Sequence, residues 1–66
     1  MTKVFIDIEL GQTSDGSWGA DAFEVDPVTL KGSVVLMLRG CGSEAEAYER
    51  ICGRLDRVYG KGNWGC

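Results

Sequence analysis

Histidine is absent from this chain of 66 residues, and proline occurs once. Without histidine, neither a Ser-His-Asp triad nor a Cys-His pair can form. The segment "GCGSEAEAY" has the strand-to-helix position of a phosphate-binding loop, but it lacks the lysine, and its glutamates would repel an anion. A domain of this size rarely encloses a substrate pocket. We therefore expect no catalytic residues and no enzymatic activity.

Other absences limit the compartment and the cofactors. No run of about 18 apolar residues exists, so no membrane span is predicted, and "MTKVFIDIEL" carries acids inside its apolar alternation, unlike a secretory signal. The three cysteines, Cys41, Cys52 and Cys66, are odd in number, which favours reduced thiols. No histidine or CxxC pair is present to bind a metal. We predict a cytoplasmic protein with no cofactor and no metal, in which Cys52 reacts slowly with thiol reagents and Cys66 quickly.

Basic residues are scarce in the first half of the chain. Residues 1–30 hold six acids against Lys3 alone, which gives −5, whereas residues 31–66 hold six bases and four acids, which gives +2; the two sum to the net charge of −3. Direct binding of nucleic acid needs clustered lysine and arginine, so we do not expect it. The acids of the first half are Asp7, Glu9, Asp15, Asp21, Glu24 and Asp26.

Apolar patterning predicts three strands, over 3–10, 18–25 and 33–39. "KVFIDIEL" alternates cleanly, and the segments "GQTSDGS" and "DPVTLKG" carry turn residues. The third strand, "SVVLMLR", is apolar without alternation, which predicts a central or well-covered strand.

A helix is predicted over 44–59. Ser43 followed by Glu46 forms a capping box, and Gly60 ends the helix. The order of charges along it follows the helix dipole and needs no functional explanation. The predicted buried stripe comprises Tyr48, Ile51, Cys52, Leu55, Val58 and Tyr59.

The elements therefore predict one α+β domain over 1–66, a three-stranded antiparallel sheet (β-β-β-α) with one C-terminal helix packed on one face. Of two placements for Trp64 in the tail, folding back onto the core edge is favoured over projecting into solvent.

One helix covers one face of such a sheet, which leaves the other open. The first strand turns Phe5, Asp7 and Glu9 outward. The second strand has two possible phases. Either Phe23 packs inward, with Trp18 and Glu24 outward, or Trp18 packs inward with its neighbouring alanines, and Asp21 and Phe23 face outward. Both place carboxylates beside an exposed aromatic.

Strands are normally poor in Asp and Glu, so these acids need an explanation. They could simply keep an open sheet in solution and discourage edge pairing. Mixed charges would serve that purpose better, whereas acids of a single sign steer a basic partner. We favour the second interpretation because aromatic residues lie among the acids.

A small, acidic chain of this organisation, with the acids of "FIDIEL" and "SDGSWGADAFEVD", resembles the phage-encoded anti-CRISPR proteins. It is most similar to those that imitate DNA against type I systems, with subtype I-C as one candidate. The likeness extends over the whole chain but includes no diagnostic motif, and the modest net charge departs from that pattern.

The resemblance implies an inhibitor in the cytosol of an infected bacterium. DNA-mimicking members bind the crRNA-guided surveillance complex, typically the Cascade large subunit of Cas8 type, and block target DNA. The helix with its arginines would face away. The residues implied to contact the partner are the phosphate-like Asp7, Glu9, Asp15, Asp21, Glu24 and Asp26, with Trp18 as an aromatic anchor.

A different class stays open: a phage or bacterial accessory module that pairs through its open sheet face. Oligomeric state separates the two. A monomer with strongly salt-dependent partner binding, which we expect, indicates the mimic, whereas a salt-insensitive homodimer indicates the accessory module.

Overall fold

The computed structural model describes residues 3–65, and the α+β class is confirmed. One helix packs on one mixed sheet. The elements along the chain are β1 (Val4–Gln12), β2 (Trp18–Val25), β3 (Gly32–Cys41), α1 (Glu44–Tyr59) and β4 (Trp64–Gly65).

The sheet has four strands in the order β3-β2-β1-β4, so the prediction of three strands is wrong. The first three strands pair antiparallel, but β4 pairs parallel with β1, through Val4 opposite Trp64 and Phe5 opposite Gly65. A two-residue strand shows no alternation that a sequence pattern can detect. Gly60 and Gly62, both at positive φ, let the chain turn back after the helix.

The strand β3 lies at the edge of the sheet, although its continuous apolar run predicted a central or well-covered strand. Its pairing with β2 is shifted near Val35 by a β-bulge. The bulge interrupts the simple alternation, so that Leu36 and Val35 pack on the core while Val34 and Met37 are exposed. Exposed residues on one face and buried residues on the other together produced the apolar run.

The predicted helix boundaries and capping box are confirmed. The Ser43 side chain accepts a hydrogen bond from the Glu46 backbone N–H at 3.1 Å, and the Gly42 N–H donates to Glu46 Oε2 at 2.7 Å. Arg50 forms an ion pair with Glu46 on the outer surface, one turn away. At the other end, the Gly60 N–H donates to the Asp56 carbonyl.

The buried residues of α1 are Ala47, Ile51 and Leu55, so the predicted stripe is confirmed at Ile51 and Leu55 and omitted Ala47. Tyr48 and Val58, which we predicted to be buried, are 47% and 58% exposed. The sequence pattern selected the larger apolar residues and so left out Ala47, which is fully buried. The whole core comprises Ile6, Ala20, Ala22, Leu38, Cys41, Ala47, Ile51 and Leu55.

The tail is fixed to the core, as predicted for Trp64. Its ring packs against the core, and its Nε1–H donates to Asp56 Oδ1 at 2.9 Å. Cys41 is buried and free, and Cys52 is half-buried, while Cys66 lies outside the described residues. Within residues 3–65, no helix has the length and apolar character needed to cross a membrane.

Candidate functional site

The candidate site is the sheet surface opposite α1, called the open face below. The register places Ile8 opposite Ala22 and Leu10 opposite Ala20, on the side that α1 covers. Because side chains alternate along a strand, the residues between them point the other way. The open face therefore carries Phe5, Asp7, Glu9, Asp21, Phe23, Val25, Val34, Met37 and Arg39.

This arrangement settles the phase of β2: Trp18, Ala20 and Ala22 face the helix, and Asp21 and Phe23 face outward. The eight residue pairs between β1 and β2 follow one another without a register shift, so this phase holds along both strands. Of the two alternatives left open by the sequence, the second is the one in the structure.

The open face has an apolar half and a polar half. Phe5 lies opposite Val25 and Phe23 lies opposite Val34, which groups the apolar side chains at one end. Phe5 and Val34 are 52% and 53% exposed. Asp7 lies opposite Phe23 at the border of this group, and Met37, which is 61% exposed, lies opposite Asp21 in the polar half. Large apolar side chains grouped on an exposed surface are typical of a protein-binding site.

At the polar half, Glu9 lies opposite Asp21, which places two carboxylates on neighbouring strands. Arg39 on β3 reduces the resulting repulsion, since its guanidinium lies 2.8 Å from Asp21 Oδ1. That hydrogen bond and the charge of Asp21 raise the pKa of Arg39. Asp7 and Glu9 are the exposed acids of the open face, and within residues 3–65 neither forms an ion pair.

Gly19 makes the position of Arg39 possible. A Cβ at Gly19 would lie 2.7 Å from the Leu38 carbonyl oxygen and 2.9 Å from Arg39 Cδ, which is too close. The Arg39 side chain therefore lies flat over β2 and donates to the Leu38 carbonyl as well as to Asp21. The only base of the open face is held in place against one of its acids, within the part of the chain that the structure describes.

Asp15 organises the turn between β1 and β2. Its Oδ1 accepts hydrogen bonds from the Thr13 hydroxyl, from the Ser17 hydroxyl at 2.8 Å and from the Ser17 backbone N–H at 3.0 Å. These hydrogen bonds lower the pKa of Asp15 to about 2, and the bond from Thr13 has the largest effect. The acid shapes the turn locally, and the structure does not bring it onto the open face.

Asp26 has the same kind of role in the turn between β2 and β3. Its Oδ1 accepts from the Val28 N–H at 2.7 Å and from the Thr29 N–H at 3.2 Å, and its carbonyl accepts from the Leu30 N–H at 2.8 Å. This predicted partner-contacting acid therefore fixes the backbone of a turn at the apolar end of the open face.

Glu24 points to the opposite side of the sheet from Asp7 and Glu9. It pairs with Ile6, whose side chain is in the core, so the alternation places Glu24 on the side of α1. The pKa of Tyr59, in the last turn of α1, is raised mainly by burial and further by the charge of Glu24. The structure thus places Glu24 beside the helix.

Trp18, the predicted aromatic anchor, is half-buried and packs against the core on the helix side. The aromatic residues of the open face are Phe5 and Phe23 instead. Of the seven predicted site residues, the structure brings Asp7, Glu9 and Asp21 together on the open face and distributes the others to turns and to the covered side.

Sequence reasoning missed Val34, Met37 and Arg39 as surface residues of the site. The signal available was that β3 ends in an exposed arginine, which is unusual for a central strand. Leu30, which lines a hollow together with Phe5 and Asp7, was missed as well. It lies in a turn at a positive φ, where glycine is the usual residue, and no sequence pattern associates a leucine there with binding.

Residues 3–65 contain no group of three or more potential metal-ligating side chains. The hollows on the surface are shallow and open, and the three that include residues of the open face are lined by strand and turn residues. Comparison of the chain with protein families, with curated proteins and with solved structures found no match.

Proposed function

We propose that this protein is a binding module that docks on a protein partner through its open face. The observation that carries this proposal is that Phe5, Val34 and Met37, each more than half exposed, share one face of the sheet with Asp7 and Glu9, which form no ion pair within residues 3–65. An apolar centre supplies binding energy, and charges at its rim supply steering and orientation.

The partner that we propose is the DNA-binding surface of a type I crRNA-guided effector complex, on its large subunit. Such a surface is rich in Lys and Arg, which complements Asp7 and Glu9. Target DNA would then be excluded by competition for the same basic residues, in the manner of an anti-CRISPR DNA mimic. The support for this partner is the resemblance in size and charge layout, and the mimicry is confined to the acids of the open face.

The experiment compares two double variants that change the net charge equally. Asp7→Asn with Glu9→Gln removes two charges from the open face, whereas Glu44→Gln with Glu49→Gln removes two exposed charges from α1. The first pair should weaken binding to a purified effector complex about tenfold at low salt, since rim charges contribute on the order of 0.5–1 kcal/mol each. The second pair should leave affinity within about twofold, because interface charge and not net charge sets it.

Binding of the unaltered chain should also weaken as salt rises from about 0.05 to about 0.5 M. A gel-shift assay with labelled target DNA reports competition directly. Equal affinities for the two double variants would overturn the assignment of the open face. If an effector complex saturated with the protein still captured target DNA normally, the proposal that the protein is an inhibitor would be wrong.

A second candidate is an accessory module that forms a homodimer through the same face, which the apolar half favours. This dimer would be insensitive to salt and would be disrupted by Met37→Lys. Sedimentation equilibrium at two salt concentrations distinguishes it from a monomer.

A further inference from the structure

Leu30 is an exposed apolar side chain held in a costly backbone conformation. Its φ is 62°, and Leu30 is the non-glycine residue with positive φ among residues 3–65. A bulky residue in the left-handed region is a genuine outlier, and such outliers cluster at functional sites. The side chain is 76% exposed, so no burial within the described chain offsets this cost.

The surrounding turn keeps Leu30 in place. Its N–H donates to the Asp26 carbonyl, and the Asp26 N–H donates to the Lys31 carbonyl at 3.0 Å. The Asp26 carboxylate accepts hydrogen bonds from the N–H groups of the two residues before Leu30. A glycine here would form the same turn without strain. The leucine therefore adds a projecting side chain to a turn that does not need it.

A shallow hollow separates this side chain from the sheet. Its lining is mostly apolar and consists of Phe5, Ile6, Asp7, Val25, Pro27 and Leu30. Asp7 is the acidic residue of this lining, and Glu9 is two residues further along the same strand and face. An adjoining hollow shares Phe5, Val25 and Pro27 with this one. It is lined as well by two bases, Lys3 and Lys31, and by two acids, Glu24 and Asp26, so its formal charges balance.

We propose that this hollow is the anchor site of the open face, and that it receives a bulky apolar side chain flanked by Lys or Arg from a segment of the partner protein. Leu30 and Phe5 would enclose the apolar side chain, and Asp7 and Glu9 would pair with the flanking bases. This inference rests on the proposed function, because it names the part of the open face that binds and the chemistry that it selects.

The charges of the surface favour a protein segment over two other occupants. An anionic membrane would be repelled by Asp7 and Glu9 beside the hollow. A second copy of the chain would bring two sets of these acids into one interface while Arg39, the base of the open face, is already paired with Asp21, which is unfavourable. A segment with basic residues meets neither obstacle.

The test titrates the ¹⁵N-labelled chain with a blocked peptide of sequence Lys-Leu-Lys-Leu-Lys and follows amide chemical shifts. We expect saturable shifts at Phe5, Asp7, Val25 and Leu30, with a dissociation constant on the order of 1 mM, as befits a short flexible probe. Peptides in which serine replaces leucine, or glutamate replaces lysine, should cause no saturable shift at these residues.

The variant Leu30→Gly should weaken peptide binding about tenfold, as expected when a central apolar contact is lost. Val28→Ser is the matched control, since Val28 is 87% exposed in the same turn but does not line the hollow. It should leave the affinity unchanged. An unchanged affinity in Leu30→Gly, or equal shifts with the serine peptide, would overturn the anchor site.

Two further outcomes would overturn it in favour of another occupant. These are co-sedimentation with anionic vesicles that Leu30→Gly abolishes, and a dimer in sedimentation equilibrium that the same variant dissociates. The proposed function is tested separately by the acid variants. If those weaken binding to the effector complex while Leu30→Gly does not, the open face is retained as the docking surface and the anchor site alone is rejected.

Discussion

On the face that α1 covers, β2 contributes Ala20 and Ala22, both essentially inaccessible, whereas on the open face the same strand contributes Asp21 and Phe23. On the helix, Ala47 belongs to the same core as these two sheet alanines and is also fully buried. Small side chains on both surfaces let the helix and the sheet pack closely, and Ile51 and Leu55 continue the buried stripe along the helix.

This difference shows how a chain of 66 residues divides its apolar residues. The covered face uses small and branched side chains to close a core, while Phe5, Val34 and Met37 remain exposed on the other. Covering a side chain of that size is worth about 1.5–3 kcal/mol. Folding leaves these side chains partly exposed, so a partner that buries them gains binding free energy.

The largest expected effect contrasts one truncation on each face. Leu55→Ala should lower the free energy of unfolding by about 2–5 kcal/mol, because it leaves a cavity in a fully buried site. Met37→Ala should change it by less than about 0.5 kcal/mol, since Met37 is mostly exposed. Urea denaturation monitored by tryptophan fluorescence measures both, and similar losses would contradict the division between the faces.

The elements with strong local signals were predicted correctly from sequence. The capping box at Ser43 and Glu46 is a short-range interaction, so residues within one turn were enough to place the start of α1. The alternation in β1 likewise identified its core face, because Ile6 and Ile8 repeat with the period of a strand.

What failed depends on contacts between distant residues. The pairing of β4 with β1 joins positions about sixty residues apart in sequence and has no local signature. The bulge in β3 and the edge position of that strand are set by its partner β2. The same cause affects the site: Asp15 and Asp26 have the charge of a binding acid, but hydrogen bonds formed in the fold assign them to turns.

Leu30→Gly should stabilise the protein although it removes an apolar side chain. Relief of the left-handed conformation contributes about 1–2 kcal/mol, and the greater freedom of glycine in the unfolded chain offsets about 0.5–1 kcal/mol of this. The net gain of about 0.5 kcal/mol should raise the melting temperature by about 2–4 °C. A lower melting temperature would mean that Leu30 serves the fold, which would remove the strain argument for the anchor site.

A smaller effect is expected at acid pH. The hydrogen bonds that lower the pKa of Asp15 to about 2 favour its charged form in the folded state. The stability that they provide is fully present above the ordinary value of 3.8 and is lost as the pH falls through about 2. Asp15→Asn should therefore make the free energy of unfolding less dependent on pH between about 4 and 2.

Urea denaturation at a series of pH values measures this dependence, with Asp7→Asn as the control from the open face. A slope unchanged by Asp15→Asn would show that the turn of residues 13–17 does not retain its hydrogen bonds in solution.

The smallest expected effect reports directly on the face to which Glu24 belongs. Burial raises the pKa of Tyr59 first, and the charge of Glu24 raises it further. Glu24→Gln should therefore lower the pKa of Tyr59 while leaving it above the ordinary value, because burial persists. Asp7→Asn, which removes an acid from the opposite face, should leave it unchanged.

Spectrophotometric titration in a Tyr48→Phe background isolates Tyr59, since the chain has two tyrosines. If Asp7→Asn changed the pKa of Tyr59 and Glu24→Gln did not, Asp7 would lie on the helix side and Glu24 on the open face. That result would contradict the register of β1 and β2, which places Glu24 on the side of α1.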